Sequence, residues 1–230
     1  MASADRLTDL RLSSFFLPGA PAFVLAPILA LLLLLAAVTL PRAEENMVFD
    51  VLRDGDKIGE HRVDFEDQDG TLKVSVETEL SVTFAFLTLF HYEHRRVERW
   101  HGDELESLAG MTNDDGKEYE ISIVRKLGHY SRTINGVDEE ITGPLTVDSL
   151  WRRDLLAGGK LFSAASDKVY RVRSDLLGWE TIDTLGGRVE AEHYKLSGEV
   201  ERDLWYGAAG QLLRVTYENE KGEVFEYVRR

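Results

Sequence analysis

The chain contains no cysteine. That one absence excludes disulfides, thiol nucleophiles, iron–sulfur clusters and cysteine-ligated zinc. A domain without disulfides is held by its core alone. With 43% hydrophobic and 10% aromatic residues in 230, there is material for a core. Basic residues are also scarce, 27 Lys and Arg against 41 Asp and Glu, for a formal net charge of −14. This argues against nucleic acid as a partner, because phosphate contacts need clustered Lys and Arg. It argues equally against a polybasic surface lying on anionic lipid. A charged partner is expected to be cationic.

Catalytic and cofactor signatures are missing as well. Gly158-Gly159-Lys160 lacks the earlier glycine and the following Ser or Thr of a phosphate-binding loop. No Gly-x-Gly-x-x-Gly and no Gly-x-Ser-x-Gly occurs. If Gly70 were the sixth residue of a calcium loop, the first and twelfth would be Phe65 and Val76, neither able to coordinate. Gly116 fails likewise, with Met111 in first position. Of the histidines, only His91, His94 and His101 cluster. On a strand His91 and His94 point to opposite faces, so the expectation is surface imidazoles in a charged strand, with no metal and no cofactor. Acidic residues are so numerous that a paired-carboxylate hydrolase stays open as an alternative, although no pair stands out from a solvated surface.

What is present begins with an apolar segment. Residues 19–40 carry no charge and span roughly 33 Å as a helix, enough to cross a bilayer. Arg6 and Arg11 precede it and Arg42 alone follows closely, which places the remainder on the non-cytoplasmic side. The best cleavage position follows Ala43, although Pro41 fits it poorly. Cleaved signal and retained anchor both stay open. The expected organisation is a signal peptide or membrane anchor over 1–43 and a single β-rich domain over 44–230, periplasmic or extracytoplasmic.

Beyond it the pattern changes to period two. Leu72, Val74, Val76, Thr78, Leu80, Val82, Phe84 and Phe86 alternate with mostly polar neighbours, giving one long strand with a buried and a wet face. Such alternation belongs to antiparallel sheets. Asp54-Gly55, Asp69-Gly70, Asp115-Gly116, Asn135-Gly136 and Lys221-Gly222 mark reversals at hairpin spacing. Val147, Leu150, Trp151 and Leu155 stand at helical spacing, so one short helix is expected to pack on the sheet or plug an open end. Two stretches resemble one another: Trp100-His101-Gly102 with the turn ending at Gly116, and Trp205-Tyr206-Gly207 with the turn ending at Gly222. Duplication of a hairpin unit and simple reuse of turn chemistry both explain that.

The most suggestive feature is apolar. Phe84-Ala85-Phe86-Leu87-Thr88-Leu89-Phe90 is hydrophobic on both faces, and Trp151 heads a second apolar group. If the meander curls round this material, Phe84, Phe86, Leu87, Leu89, Phe90 and Trp151 could line an interior for a lipid or other hydrophobic ligand.

Two further stretches carry a resemblance. At the C-terminus stand Asp203-Leu204-Trp205-Tyr206-Gly207, then 210–215 (Gly-Gln-Leu-Leu-Arg-Val) and 222–227 (Gly-Glu-Val-Phe-Glu-Tyr). Near the start stand Phe49-Asp50-Val51, Gly55, Ile58-Gly59 and His61-Arg62. Together these resemble an uncharacterised domain-of-unknown-function family of exported, β-rich bacterial envelope proteins. The resemblance implies a mostly β protein of the cell envelope and brings no catalytic or binding residue with it. A more distant likeness is to the curved-sheet lipoprotein carriers of the periplasm, whose half-open barrels bind acyl chains; it is a likeness of fold only.

The expectation is therefore a mainly β fold: an antiparallel meander forming a barrel or strongly curved sheet with one short helix, preceded by an N-terminal hydrophobic helix. The expected function is that of a non-enzymatic envelope protein binding a hydrophobic ligand or an envelope partner. The main alternative is an accessory subunit of a membrane protein complex anchored by residues 19–40.

Overall fold

The structure, a computed structural model, describes residues 45–84 and 87–230, without the side chains of 83, 84, 87 and 88. The expected N-terminal hydrophobic helix lies outside the described residues. Contacts divide the chain into two units, Met1–Arg42 and Ala43–Arg230.

The larger unit is an antiparallel meander. Its first half runs β1 (Met47–Arg53), β2 (Asp56–Gln68), β3 (Thr71–Phe84), β4 (Leu87–His101), β5 (Glu104–Asp114), β6 (Lys117–Lys126), β7 (His129–Ile134) and β8 (Val137–Ile141). The second runs β9 (Gly159–Phe162), β10 (Val169–Thr184), β11 (Gly187–Gly198), β12 (Arg202–Gly207), β13 (Leu212–Glu218) and β14 (Val224–Arg229). Every strand pairs with its sequence neighbour, and β1 also pairs with β14, from Phe49↔Arg229 to Arg53↔Phe225. The result is one sheet of 14 strands whose edges are β8 and β9. It is strongly curved and not closed.

Local chemistry explains the reversals. Asp54, Asp69, Asp115 and Asn135 all take positive φ, each followed by a positive-φ glycine. Two left-handed residues in succession twist a two-residue loop to match the flanking strands, and Asp-Gly and Asn-Gly tolerate that conformation best. These four turns stand where the sequence puts them. The alternation in β3 also holds, with Val74, Val76, Thr78 and Leu80 buried and Glu77, Glu79 and Ser81 exposed.

Two expectations are corrected. The long strand does not continue to Phe90: β3 ends at Phe84 and β4 starts at Leu87, with Phe84 and Leu87 as partners. The apolar run therefore straddles a hairpin reversal, which periodicity cannot distinguish from a strand hydrophobic on both faces. The helix over 146–156 is also absent, apart from a single 3-10 turn, Asp154–Ala157. Val147 forms a parallel bridge to Phe162, and Asp148 N–H donates to the Phe162 carbonyl at 3.0 Å. Those backbone groups are committed to β9 and cannot serve a helix. Of the two resembling stretches, Trp100 faces the core while Trp205 packs outside beside Ile182 and Leu213. The equivalent inward position on β12 is Tyr206, fully buried.

Segment 142–158 still acts as a plug. It leads from β8 to β9, and Val147, Trp151 and Leu155 join Trp100, Leu105, Leu108 and Leu161 in the main core. The Tyr206 hydroxyl donates to the Leu150 carbonyl at 2.9 Å, tying the plug to the opposite wall.

Candidate functional site

Successive turns of a meander alternate between two ends. Asp54-Gly55, Asp115-Gly116, Asn135-Gly136, the 219–222 turn and the 163–168 loop all fall at one end. The plug fills the other. Between them lies a cavity of about 600 Å³. Its mouth is lined by Leu80, Asp114, Lys117, Lys168, Arg202 and Asn219 and its wall by Phe90, Tyr92, Tyr170, Tyr217, Phe225 and Tyr227. Arg96, Leu150 and Trp151 form the floor. This volume sits within the range typical of small-molecule sites.

The floor is built by alternation in β4. Its even-numbered residues Tyr92, His94, Arg96, Glu98 and Trp100 point inward, while Arg95, Val97 and Arg99 are exposed. Glu98 is completely buried and accepts four hydrogen bonds. Arg96 Nε donates at 2.6 Å and Ser149 Oγ at 2.6 Å to one carboxylate oxygen. Trp100 Nε1 at 2.8 Å and Trp151 Nε1 at 3.1 Å donate to the other. A buried carboxylate costs several kcal/mol unless it is both paired and saturated with donors, and here it is both. Two of the four donors, Ser149 and Trp151, come from the plug. Glu98 thus fixes the closed end.

The neighbouring imidazoles follow from the same pair. Arg96 Nη1 lies 3.0 Å from His94 Nε2, and a guanidinium only donates, so Nε2 accepts. Nδ1 then carries the proton and donates to Thr112 Oγ1 at 2.8 Å. Burial, then the Arg96 charge, then His61, lower the His94 pKa to about 2. His61, bonded to Thr78 Oγ1 at 2.7 Å, is lowered to about 3 by burial and by Arg96. Both rings are neutral. Burial likewise pushes the hydroxyls of Tyr92, Tyr217 and Tyr227 upward, outweighing the Arg202 charge beside Tyr217 and Tyr227. The wall therefore offers neutral donors and aromatic faces.

Of the residues proposed from sequence, Phe90 and Trp151 meet at this cavity. Leu89 does not: it is 56% exposed, because the register shift between Val82 and Thr83 leaves it unpaired. The side chains of Phe84 and Leu87, and Phe86 altogether, lie outside the described residues. Sequence reading missed His94, Arg96 and Glu98, taking the strand from His91 to Arg99 for surface. The available signal was parity, since Tyr92 and Trp100 bracket them on the same face. A second hollow, about 970 Å³, lies on the outer face of β3–β6. On it Arg95 is paired with Glu77 at 2.7 Å and with Glu93 at 2.5 Å.

A family model, the domain of unknown function DUF6134, matches residues 49–230, which takes in nearly all of the described sheet. The chain belongs to the DUF6134 family. No curated protein matches it. The DUF6134 chain is similar in fold to the crystal structure of a β-barrel-like protein of the DUF1849 domain of unknown function from Brucella abortus. That likeness has a TM-score of 0.59 at 8% identity, covering 80% of this chain and 94% of the other. At that identity the likeness is one of fold alone, and it agrees with the curved, barrel-like sheet of DUF6134 seen here.

Proposed function

We propose that the domain is a binding protein of the cell envelope that holds an amphiphilic ligand inside the curved sheet. The observation that carries this is the cavity of about 600 Å³, open at one end, plugged at the other and walled by aromatic side chains. Its floor is dedicated to structure: Glu98 is saturated, and the His94 nitrogen facing Thr112 already bears a proton and cannot take another. That supports binding over catalysis. The uncharged segment 19–40 supports export across, or anchorage in, a membrane.

The test is saturable binding of a neutral, polarity-sensitive naphthylamine dye by purified residues 44–230. The expected result is one site per chain, with Phe90→Asp and Tyr227→Asp each lowering affinity at least tenfold. Dye fluorescence that never saturates, or that ignores both substitutions, sinks the proposal. An accessory role in a membrane complex is the second reading, supported by Leu176, Leu177 and Trp179, each more than half exposed on β10. Co-purification of membrane proteins at fixed stoichiometry, lost in Trp179→Lys, is its expected signature.

A further inference from the structure

We infer that the ligand carries an anionic group, a carboxylate or a phosphate, held at the cavity mouth by Lys117, Lys168 and Arg202. The inference rests on the reading of the cavity as a ligand site and names the chemistry of that ligand.

Local charge favours an anion. The whole chain is strongly acidic, at −14. The cavity lining reverses the sign: with Arg96 neutralised by Glu98, Lys117, Lys168 and Arg202 give three positive charges against two negative ones, Asp114 and Asp148, and both lining histidines are neutral. An acidic protein that gathers cations inside one concave site concentrates field there, and the field selects an anion.

The cations differ in whether a carboxylate already holds them. Arg96 is engaged by Glu98 and His94 at the floor. The three at the mouth have no carboxylate partner among the described residues. The Tyr119 side chain is the main influence on Lys117, and Asp167 and Asp114 act on it only from beyond contact distance. Most arginines of the sheet are paired, such as Arg53, Arg125, Arg132 and Arg214. Arg202 instead sits with its guanidinium 5.4 Å from the centre of the Tyr217 ring, and Lys117 Nζ lies 4.8 Å from the centre of the Tyr119 ring. A cation resting on an aromatic face keeps its N–H groups free to donate. Lys117 and Lys168 are exposed and Arg202 half-buried, so their donors are reachable from solvent.

The free cations also share one end of the sheet. Lys117 opens β6, Arg202 opens β12, and Lys168 ends the loop before β10, so all three stand at the open end. The aromatic wall and Trp151 lie deeper. A head held at the mouth directs an apolar tail inward along Tyr92, Tyr217 and Tyr227. Free anions lack the tail, so an amphiphile is favoured over inorganic phosphate.

The experiment is displacement of the neutral naphthylamine dye from residues 44–230 by dodecanoate, dodecyl phosphate and dodecanol, with inorganic phosphate as a further arm. The two acids are expected to displace at about tenfold lower concentration than the alcohol, the margin of one charge-assisted hydrogen bond. Arg202→Gln, Lys168→Gln and Lys117→Gln should erode that margin, added salt should shrink it, and Arg202→Lys should keep most of it. The circular dichroism spectrum and melting transition of each variant should match the parent's, which reports that each is folded, and displacement is read against that variant's own dye affinity. Equal displacement by acid and alcohol overturns the anion while leaving the cavity reading intact. A margin that survives the triple glutamine variant overturns its placement at the mouth. Displacement by inorganic phosphate as strong as by dodecyl phosphate overturns the amphiphile. Absence of any dye binding removes the cavity reading, and this inference with it.

Discussion

The residue on which most of the closed end depends is Glu98. It is buried without exposure and joined to Arg96, Ser149, Trp100 and Trp151, which come from β4 and from the plug. Removing one member of a buried ion pair leaves the other uncompensated, at a cost of about 3–5 kcal/mol. Glu98→Gln is therefore expected to lower the unfolding free energy from urea titration by that margin, and a loss below about 1 kcal/mol would refute the assignment. His94 supplies a second prediction with a definite sign. Its pKa falls from the ordinary 6.5 to about 2, so between those values the unfolded chain binds a proton that the folded chain refuses. Its contribution to stability is complete above about pH 6.5 and drains away as pH falls, at about 1.4 kcal/mol per pH unit. His61, partly facing the cavity, acts in the same direction. Urea titrations between about pH 6 and pH 4 should show a slope shallower by about one proton in His94→Gln.

At the scale of elements, turns were legible and the crossing segment was not. An Asp-Gly or Asn-Gly pair sets its own backbone, and Asp54, Asp69, Asp115 and Asn135 needed nothing distant to form their reversals. The plug's conformation depends on partners far away in sequence: Phe162, Ala164, Glu98 and Tyr206. Helical spacing of Val147, Leu150, Trp151 and Leu155 reported correctly that these side chains enter the interior, and wrongly that a helix carries them. β2 offers a sharper test of packing between strands. Gly59 pairs with Leu80, and an added Cβ would collide with the Glu79 carbonyl. Its φ is ordinary, so the cost of Gly59→Ala is steric and amounts to about 1–3 kcal/mol. Gly70→Ala, at φ 86 with open space around it, should cost about 1 kcal/mol by backbone strain instead. Chemical denaturation of the two variants separates the causes, because only the first should also weaken amide protection along β2 and β3.

For the whole molecule, the pairing of β1 with β14 decides the architecture. It places the last strand in the middle of the sheet, between β1 and β13, and leaves β8 and β9 as the edges. Deleting residues 224–230 should consequently abolish cooperative unfolding in circular dichroism, since it strips partners from two central strands at once. Loss of a few degrees with cooperativity intact would contradict that topology. The sequence alone determined the strands, their antiparallel sense and most of their turns, because period-two alternation and Asp-Gly chemistry act over a few residues. Only the tertiary structure decided that Glu98, Arg96 and His94 face inward and that Phe90 and Trp151 share a cavity. It alone gathered Lys117, Lys168 and Arg202 at one mouth within an acidic chain. Those facts depend on how far a long sheet curls and which strand ends it brings together, a sum of small twists over 14 strands that no local pattern encodes.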